Sequence, residues 1–215
     1  MKAILLLAGS AVALQGCHFV MGQGIQGSGK SAMETRTVPT FTRIESEGSG
    51  DVIVEIGPVQ SIEIELDDNL LKNITTEVKD GTLTISSKEG YNTKIGLKVK
   101  VTVQSLAGAS ISGSGSISAI NISAKAFAAS IAGSGEIHVS GNADTLSVGI
   151  NGSGELDLAM LTTRSADITI NGSGSTQVAA SESLTATING SGDVTFTGNP
   201  KVTKSVNGSG DVHKK

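Results

Sequence analysis

Ile150-Asn151-Gly152-Ser153-Gly154, Ile170-Asn171-Gly172-Ser173-Gly174, Ile188-Asn189-Gly190-Ser191-Gly192 and Val206-Asn207-Gly208-Ser209-Gly210 repeat one frame along a 215-residue chain. Gly-Ser-Gly also begins at Gly113 and Gly133, so the six late copies are separated by 20, 19, 20, 18 and 18 residues. Earlier copies begin at Gly48 and Gly27. An alternating stretch precedes each late copy, such as Ala166-Asp167-Ile168-Thr169-Ile170, and another follows, such as Glu155-Leu156-Asp157-Leu158 or Asp193-Val194-Thr195-Phe196. Period-two alternation places Leu156, Leu158, Ile168, Ile170, Val194 and Phe196 on inward faces. A recurrence of 18–20 residues suits one full coil of short strands and tight turns, and the predicted fold is all-β, a parallel β-helix. Glycine on either side of serine lets the corner take positive φ without a Cβ clash. Equivalent residues of successive coils then stack about 4.8 Å apart. Asn151, Asn171, Asn189 and Asn207 are expected to form an amide ladder, and Ser153, Ser173, Ser191 and Ser209 a hydroxyl row. Antiparallel hairpins also use Asn-Gly turns, but one such turn per coil length favours the solenoid.

The composition agrees. Aromatic residues make up 2% of the chain, tryptophan is absent and glycine occurs 28 times, so a core built on large rings is excluded. Apolar residues at 38% and charged residues at 17% are equally unlike a disordered chain. A net charge of −4 offers no basic footprint for nucleic acid.

The first seventeen residues read as an address. Met1-Lys2 is a short positive region, and the apolar run from Ala3 to Leu14 is too short to cross a bilayer, which takes about 20 helical residues. Leu14-Gln15-Gly16-Cys17 resembles the bacterial lipobox, which implies cleavage before Cys17 and lipid attachment there. Cys17 is the chain's one cysteine, so it has no disulfide partner. His18 after it, rather than aspartate, points by the same resemblance to the outer membrane. Residues 18–35 are expected to be a Gly/Ser-rich tether. Within them, Gly24-Ile25-Gln26-Gly27-Ser28-Gly29-Lys30-Ser31 fits the phosphate-loop pattern G-x-x-x-x-G-K-[ST]. That pattern has meaning only between a buried strand and a helix. Pro39 and the threonines that follow are poor helix material, so ATP is not expected as a ligand.

Residues 36–215 are expected to form a single body, with an irregular half at 36–105 and regular coils at 106–215. Val52–Ile56, Ser61–Leu66, Thr82–Ile85 and Leu97–Val103 alternate as strands. Lys79-Asp80-Gly81-Thr82 reads as a hairpin turn, and Asp67 to Ile74 as a short helical turn capped by Asp67 or Asp68. These segments resemble the auto-transporter adhesin head GIN domain family, named for a Gly-Ile-Asn repeat that stands here as Gly149-Ile150-Asn151. The resemblance extends over Arg36 to Ile44, Gly50 to Val54, Asp68 to Leu71 and Asp80 to Ile85. It implies a right-handed parallel β-helix, export or lipid anchoring, and a surface role. Ser112 and Ala132 stand where the family frame has asparagine, so the ladder is expected to start late.

Parallel β-helices include enzymes that act on polysaccharides, whose sites gather carboxylates with basic groups on one face. The residue after each Gly-Ser-Gly is Asp51, Ser116, Glu136, Glu155, Ser175, Asp193 or Asp211, and stacking would bring Glu136 beside Glu155. No basic residue recurs beside them at coil spacing, although His138 lies close. Calcium coils need an aspartate in nearly every turn, and here only three of these seven positions carry one. The expectation is therefore a non-catalytic envelope lipoprotein without cofactor or metal, held to the membrane by its lipid. It would present a solenoid surface to a glycan or surface-protein ligand, as an adhesin or a structural protein. The alternatives are a polysaccharide-acting enzyme and a periplasm-facing scaffold or stress protein. The charged end Asp211–Lys215 suggests that Lys214 and Lys215 discourage edge pairing, or that a partner docks there.

Overall fold

The computed structural model describes residues 24–215. In chain order the strands are β1 (Ile25–Gln26), β2 (Ser31–Arg36), β3 (Arg43–Gly48), β4 (Asp51–Ile56), β5 (Ser61–Asp67), β6 (Ile74–Lys79), β7 (Thr82–Ser87), β8 (Tyr91–Asn92) and β9 (Lys98–Val103). The repeating half contributes β10 (Gly108–Gly113), β11 (Ser116–Gly133), β12 (Glu136–Gly152), β13 (Glu155–Gly172), β14 (Ser175–Gly190), β15 (Asp193–Thr197), β16 (Lys201–Gly208) and β17 (Asp211–Lys214). β11 to β14 are unusually long because each winds around the body instead of crossing it. Each pairs in parallel with the coil before and the coil after, with register shifts where the chain bends. The result is an all-β solenoid of about five stacked coils.

Every coil closes at the same corner. Ser173 N–H donates to the Gly152 carbonyl, and Ser191 N–H to the Gly172 carbonyl, both at 2.9 Å. Gly172 has φ +133°, and a Cβ there would sit 2.2 Å from the Gly152 oxygen. Glycine is thus required twice over, by a conformation other residues avoid and by the carbonyl stacked against it. Asn171 Nδ2 donates to Asn151 Oδ1, Asn189 to Asn171 and Asn207 to Asn189, at 2.9, 2.9 and 3.0 Å. Ser153, Ser173, Ser191 and Ser209 hold equivalent exposed positions, but the bonds that tie that row together are made by their backbone N–H groups.

The interior is a set of aliphatic rows running along the axis. Ile131, Ile150, Ile170 and Ile188 stack in register, as do Phe127, Leu146, Ala166 and Leu184, and all are buried. Burying each larger side chain is worth about 1.5–3 kcal/mol. Thr176 interrupts one row, and its hydroxyl is accommodated by donating to the Leu156 carbonyl of the preceding coil at 3.0 Å.

The first half is built differently. β7 lies in parallel beneath β3, and β9 beneath β4, although both come later in the chain. Antiparallel strands then cover this end: β6 pairs β7, β5 pairs β9, and β2 pairs β5. Asp80 and Gly81, at φ 49° and 74°, form the β6–β7 hairpin turn. The short turn at Leu71–Asn73 is a 3-10 helix with Leu70 as its N-cap and no side-chain cap, so Asp67 and Asp68 do not cap it. The tether reading of 18–35 is also corrected for its described part. Ser31–Arg36 is a full edge strand of the body, because Ala32, Glu34 and Arg36 are partly buried where β2 lies along β5.

At the other end, Lys204 of β16 stands in register with Ala186, whose row otherwise points into the core. Its ammonium reaches back to donate to the Val212 carbonyl at 3.3 Å, with Asp211 at 3.8 Å. An inward-pointing charge on an outermost strand blocks a further strand from stacking on it. Lys214 instead donates to Asn199 Oδ1 at 2.6 Å.

Gly172→Ala is expected to lose about 2 kcal/mol or more, since the strained backbone alone costs of order 1–3 kcal/mol. In a chain of this size that lowers Tm by about 5 °C or more, and an unchanged melting curve would show that the corner tolerates a side chain. Lys204→Val, which restores an apolar inward row, should make the protein associate with rising concentration in sedimentation velocity. Identical distributions for variant and wild type would refute the blocking role.

Candidate functional site

The phosphate-loop pattern is occupied by the chain itself. Gly29 N–H donates to Asp67 Oδ1, Ser28 N–H to Asn69 Oδ1 at 2.9 Å, and the Ser28 hydroxyl to Asp68 Oδ1 at 2.6 Å. Gly27 lies so close to the Asp67 carboxylate that a Cβ there would meet its Cγ at 2.6 Å. The loop's donors therefore face an internal anion where a phosphate would have to sit, and Lys30 pairs with Asp68 at 3.6 Å. Asp67 is fully withdrawn from solvent. The Thr93 hydroxyl foremost, then the N–H groups of Gly29, Lys94 and Ile95, hold its carboxyl below the usual carboxylate range against the opposing pull of burial. This latch ties residues 24–30 to the capped end.

The acidic row is in register as stacking requires: Asp51, Ser116, Glu136, Glu155, Ser175, Asp193 and Asp211 are neighbours from coil to coil. His138 lies between two carboxylates, 2.8 Å from Glu136 and 3.5 Å from Asp157. Several members of the row bind the adjoining coil: Ser116 Oγ donates to Asp51 at 2.8 Å, and Asp211 N–H to Asp193 at 3.0 Å. Their chemistry is cross-coil pairing on an open sheet face. Among the described residues no group of three His, Cys, Asp or Glu is arranged to hold a metal ion. Cys17 lies outside the described residues, so lipid attachment there is not visible.

A concave feature lies elsewhere on the coils. After the first straight segment each coil makes a short run, Ile122–Ala124, Gly141–Ala143 or Leu161–Thr163, and then bends. One residue at that bend is skipped by the ladder: Lys125, Asp144 and Arg164 in successive coils. In the next coil the skipped residues are Ser181 and Glu182. The lining is made of the less exposed Ala124, Ala143 and Thr163 together with the exposed Ser123, Asn142 and Thr162 that precede them. The groove they enclose measures about 440 Å³. Where pairing breaks, hydroxyls satisfy the backbone: Thr163 Oγ1 donates to the Ala179 carbonyl at 2.8 Å, and Ser181 Oγ to the Thr163 carbonyl at 3.2 Å. Arg164 and Asp144 are well exposed and 3.6 Å apart.

No motif of identical residues marks this groove. Its signal was present, because Lys125, Asp144, Arg164 and Glu182 each lie ten to twelve residues past the first glycine of a corner. Attention to identical residues hides a position that conserves charge while alternating its sign.

Comparison with known proteins gives a consistent picture. Residues 40–200 match the family described as "Putative auto-transporter adhesin, head GIN domain". No curated protein matches the chain. Among solved structures, a putative adhesin from Bacteroides fragilis superposes with a TM-score of 0.75 at 22% identity, covering 89% of this chain and 100% of that one. A putative lipid binding protein from Parabacteroides distasonis gives 0.61 at 24%, covering 89% and 99%. A putative adhesin from Parabacteroides merdae gives 0.51 at 24%, covering 89% and 98%. At these identities the likeness is one of fold.

A group whose folded pKa is depressed contributes stability above its unfolded pKa, and that stability is lost as pH falls through the folded value. For Asp67 the window lies below pH 3.8, its ordinary value. Asp67→Asn is therefore expected to lower Tm at pH 7 and to flatten the loss of stability between neutral and strongly acid pH. Parallel Tm-versus-pH curves for variant and wild type would remove the latch from the account.

Proposed function

The chain belongs to the auto-transporter adhesin head GIN domain family, and from that premise we propose that it is a non-catalytic binding module displayed on the cell envelope by a lipid at Cys17. The observation that carries this reading is the stack of Gly-Ser-Gly corners, seven in register from Gly48 to Gly208. It makes a rigid body whose outward positions are exposed small polar side chains repeated at coil spacing. Such a surface presents many equivalent weak contacts, and a membrane carrying many copies multiplies them. The lipobox-like Leu14–Cys17 supports the anchor. Among the described residues no helix is long and apolar enough to cross a membrane.

The enzyme reading draws less support. Glu136 and Glu155 are adjacent on an open face, where His138 pairs with Glu136 of its own coil and Asp157 of the next. Carboxylate chemistry on a glycan requires opposed groups flanking the bond to be broken.

Metabolic palmitate labelling of wild type and Cys17→Ala, combined with protease shaving of intact cells, tests the proposal. The expected result is label that depends on Cys17 and protein that shaving removes. Label without shaving would place the body facing the periplasm, and absence of label would overturn the anchor.

A further inference from the structure

We propose that the groove formed by Ser123, Lys125, Asn142, Asp144, Thr162 and Arg164 binds a neutral, hydroxyl-rich glycan strand lying along the solenoid axis, with about one sugar to each coil. This inference rests on the binding-module reading and gives that module its ligand class.

Three observations lead to it. The first is shape: where the ladder breaks, residues of four successive coils line one groove of about 440 Å³. Its less exposed side chains are no larger than threonine, which lets a ligand approach the backbone. The second is period. The lining repeats at the inter-strand spacing of about 4.8 Å, close to the rise of a pyranose along an extended glycan. A polymer lying along the axis therefore meets an equivalent set of partners at each sugar.

The third is chemistry. The groove carries hydroxyl and amide groups from Ser123, Asn142 and Thr162, each of which both donates and accepts. The lining also alternates donor-only and acceptor-only groups, Lys125, Asp144 and Arg164 in successive coils, with the Ser181 hydroxyl in the next. A sugar hydroxyl is likewise donor and acceptor at once, so a chain of vicinal hydroxyls can satisfy every group in this series. An anionic polymer would meet Asp144 in the middle of the series, and a cationic one Lys125 and Arg164 on either side of it, so alternation selects for a neutral ligand. Lys125 and Asp144 are exposed, and Asp144 is paired with Arg164 at 3.6 Å, so a ligand meets Asp144 and Arg164 as a neutral pair. Among the described aromatic residues, Phe41, Phe127 and Phe196 are buried and Tyr91 is partly buried on β8, so none offers a ring to stack on a sugar. Recognition then depends on hydrogen bonds in water, which are individually weak, and a single site is expected to be weak as well. That fits a module acting in many copies.

The test is binding of the full-length exported protein, purified in detergent, to purified neutral oligosaccharides of two to eight sugars from the glucan, galactan, mannan and N-acetylglucosamine series. At least one series should bind, with affinity rising up to about four sugars, the number of coils that line the groove, and then levelling off. Arg164→Ala and Asn142→Ala should each weaken that binding about tenfold without changing Tm, whereas Gln177→Ala, on a different face, should leave it unchanged. No binding in any series, stronger binding to an acidic polymer such as polygalacturonate, or binding indifferent to the groove variants would each overturn the proposal. Palmitate labelling and shaving are independent of these outcomes, so failure of the groove and failure of the display reading are told apart.

Discussion

The structure depends on one contact: the carbonyl of a corner glycine accepting the serine N–H of the next coil while lying against that coil's own glycine. At Gly152 and Gly172 this approach leaves no room for a β-carbon. Once two backbones come this close at one corner, the register of the whole coil is set. A slip of one residue would turn every inward isoleucine outward. The Asn151–Asn207 ladder and the aliphatic rows are consequences of that alignment, and each then reinforces it. The side-chain amides add little individually, since exposed hydrogen bonds contribute about 0.5–1.5 kcal/mol or less. Their value lies in being satisfied only when the coils are in step.

A stack of parallel strands has two ends, and each would otherwise expose a row of unpaired backbone groups. The chain treats them differently. Near its start, residues 57–107 make a detour that slides β7 and β9 beneath the coil formed by β3 and β4 and covers them with antiparallel β6 and β5, and the earlier strand β2 then pairs with β5. The antiparallel strands occupy the free edges of β7 and β9, so no further coil can stack there. The Asp67 latch holds Gly27–Lys30 against this cap. At the far end, Lys204 takes the half-exposed last place of a row that is buried in the earlier coils and bonds to the Val212 carbonyl. A covered end and a charged end reach the same result by different chemistry.

Much of this was legible in the residues. The corner spacing announced the coil, and the alternation on either side correctly marked Leu156, Leu158, Ile168 and Ile170 as inward. Asp80-Gly81 announced its hairpin. What stayed hidden was non-local. Nothing in the local pattern of Thr82–Ser87 says that it pairs in parallel with Arg43–Gly48, which precedes it, so the inserted cap could not be read. Residues 24–35 are rich in glycine and serine, the composition of a linker, yet Ser31–Arg36 becomes a strand because β5 offers it an edge. Lys204 was visible in Val202-Thr203-Lys204-Ser205-Val206 as a charge on the apolar phase of an alternating strand. It was overlooked in favour of Lys214 and Lys215, which lie nearer the end of the chain. The groove was missed for a related reason: its members share a position and a charge magnitude, not an identity.

The division of labour within a coil explains where binding can arise. Corners and inward rows are constrained by backbone contact and packing, so they cannot vary without loss of the fold. Outward positions on the straight segments are free, but adjacent side chains there stand parallel on an open sheet, as Glu136 and Glu155 do, and a ligand would touch them from one side only. The bend after Ala124, Ala143 and Thr163 differs because the ladder breaks there and residues of four coils line a groove of about 440 Å³. Groups that converge can surround a ligand and displace water from it, whereas groups that stand parallel remain hydrated. Lys125, Asp144 and Arg164 occupy the residue that the backbone ladder skips, and the contact between Asp144 and Arg164 at 3.6 Å is one of side chains alone. Within the repeating coils, this position combines concavity with freedom from the register that constrains its neighbours.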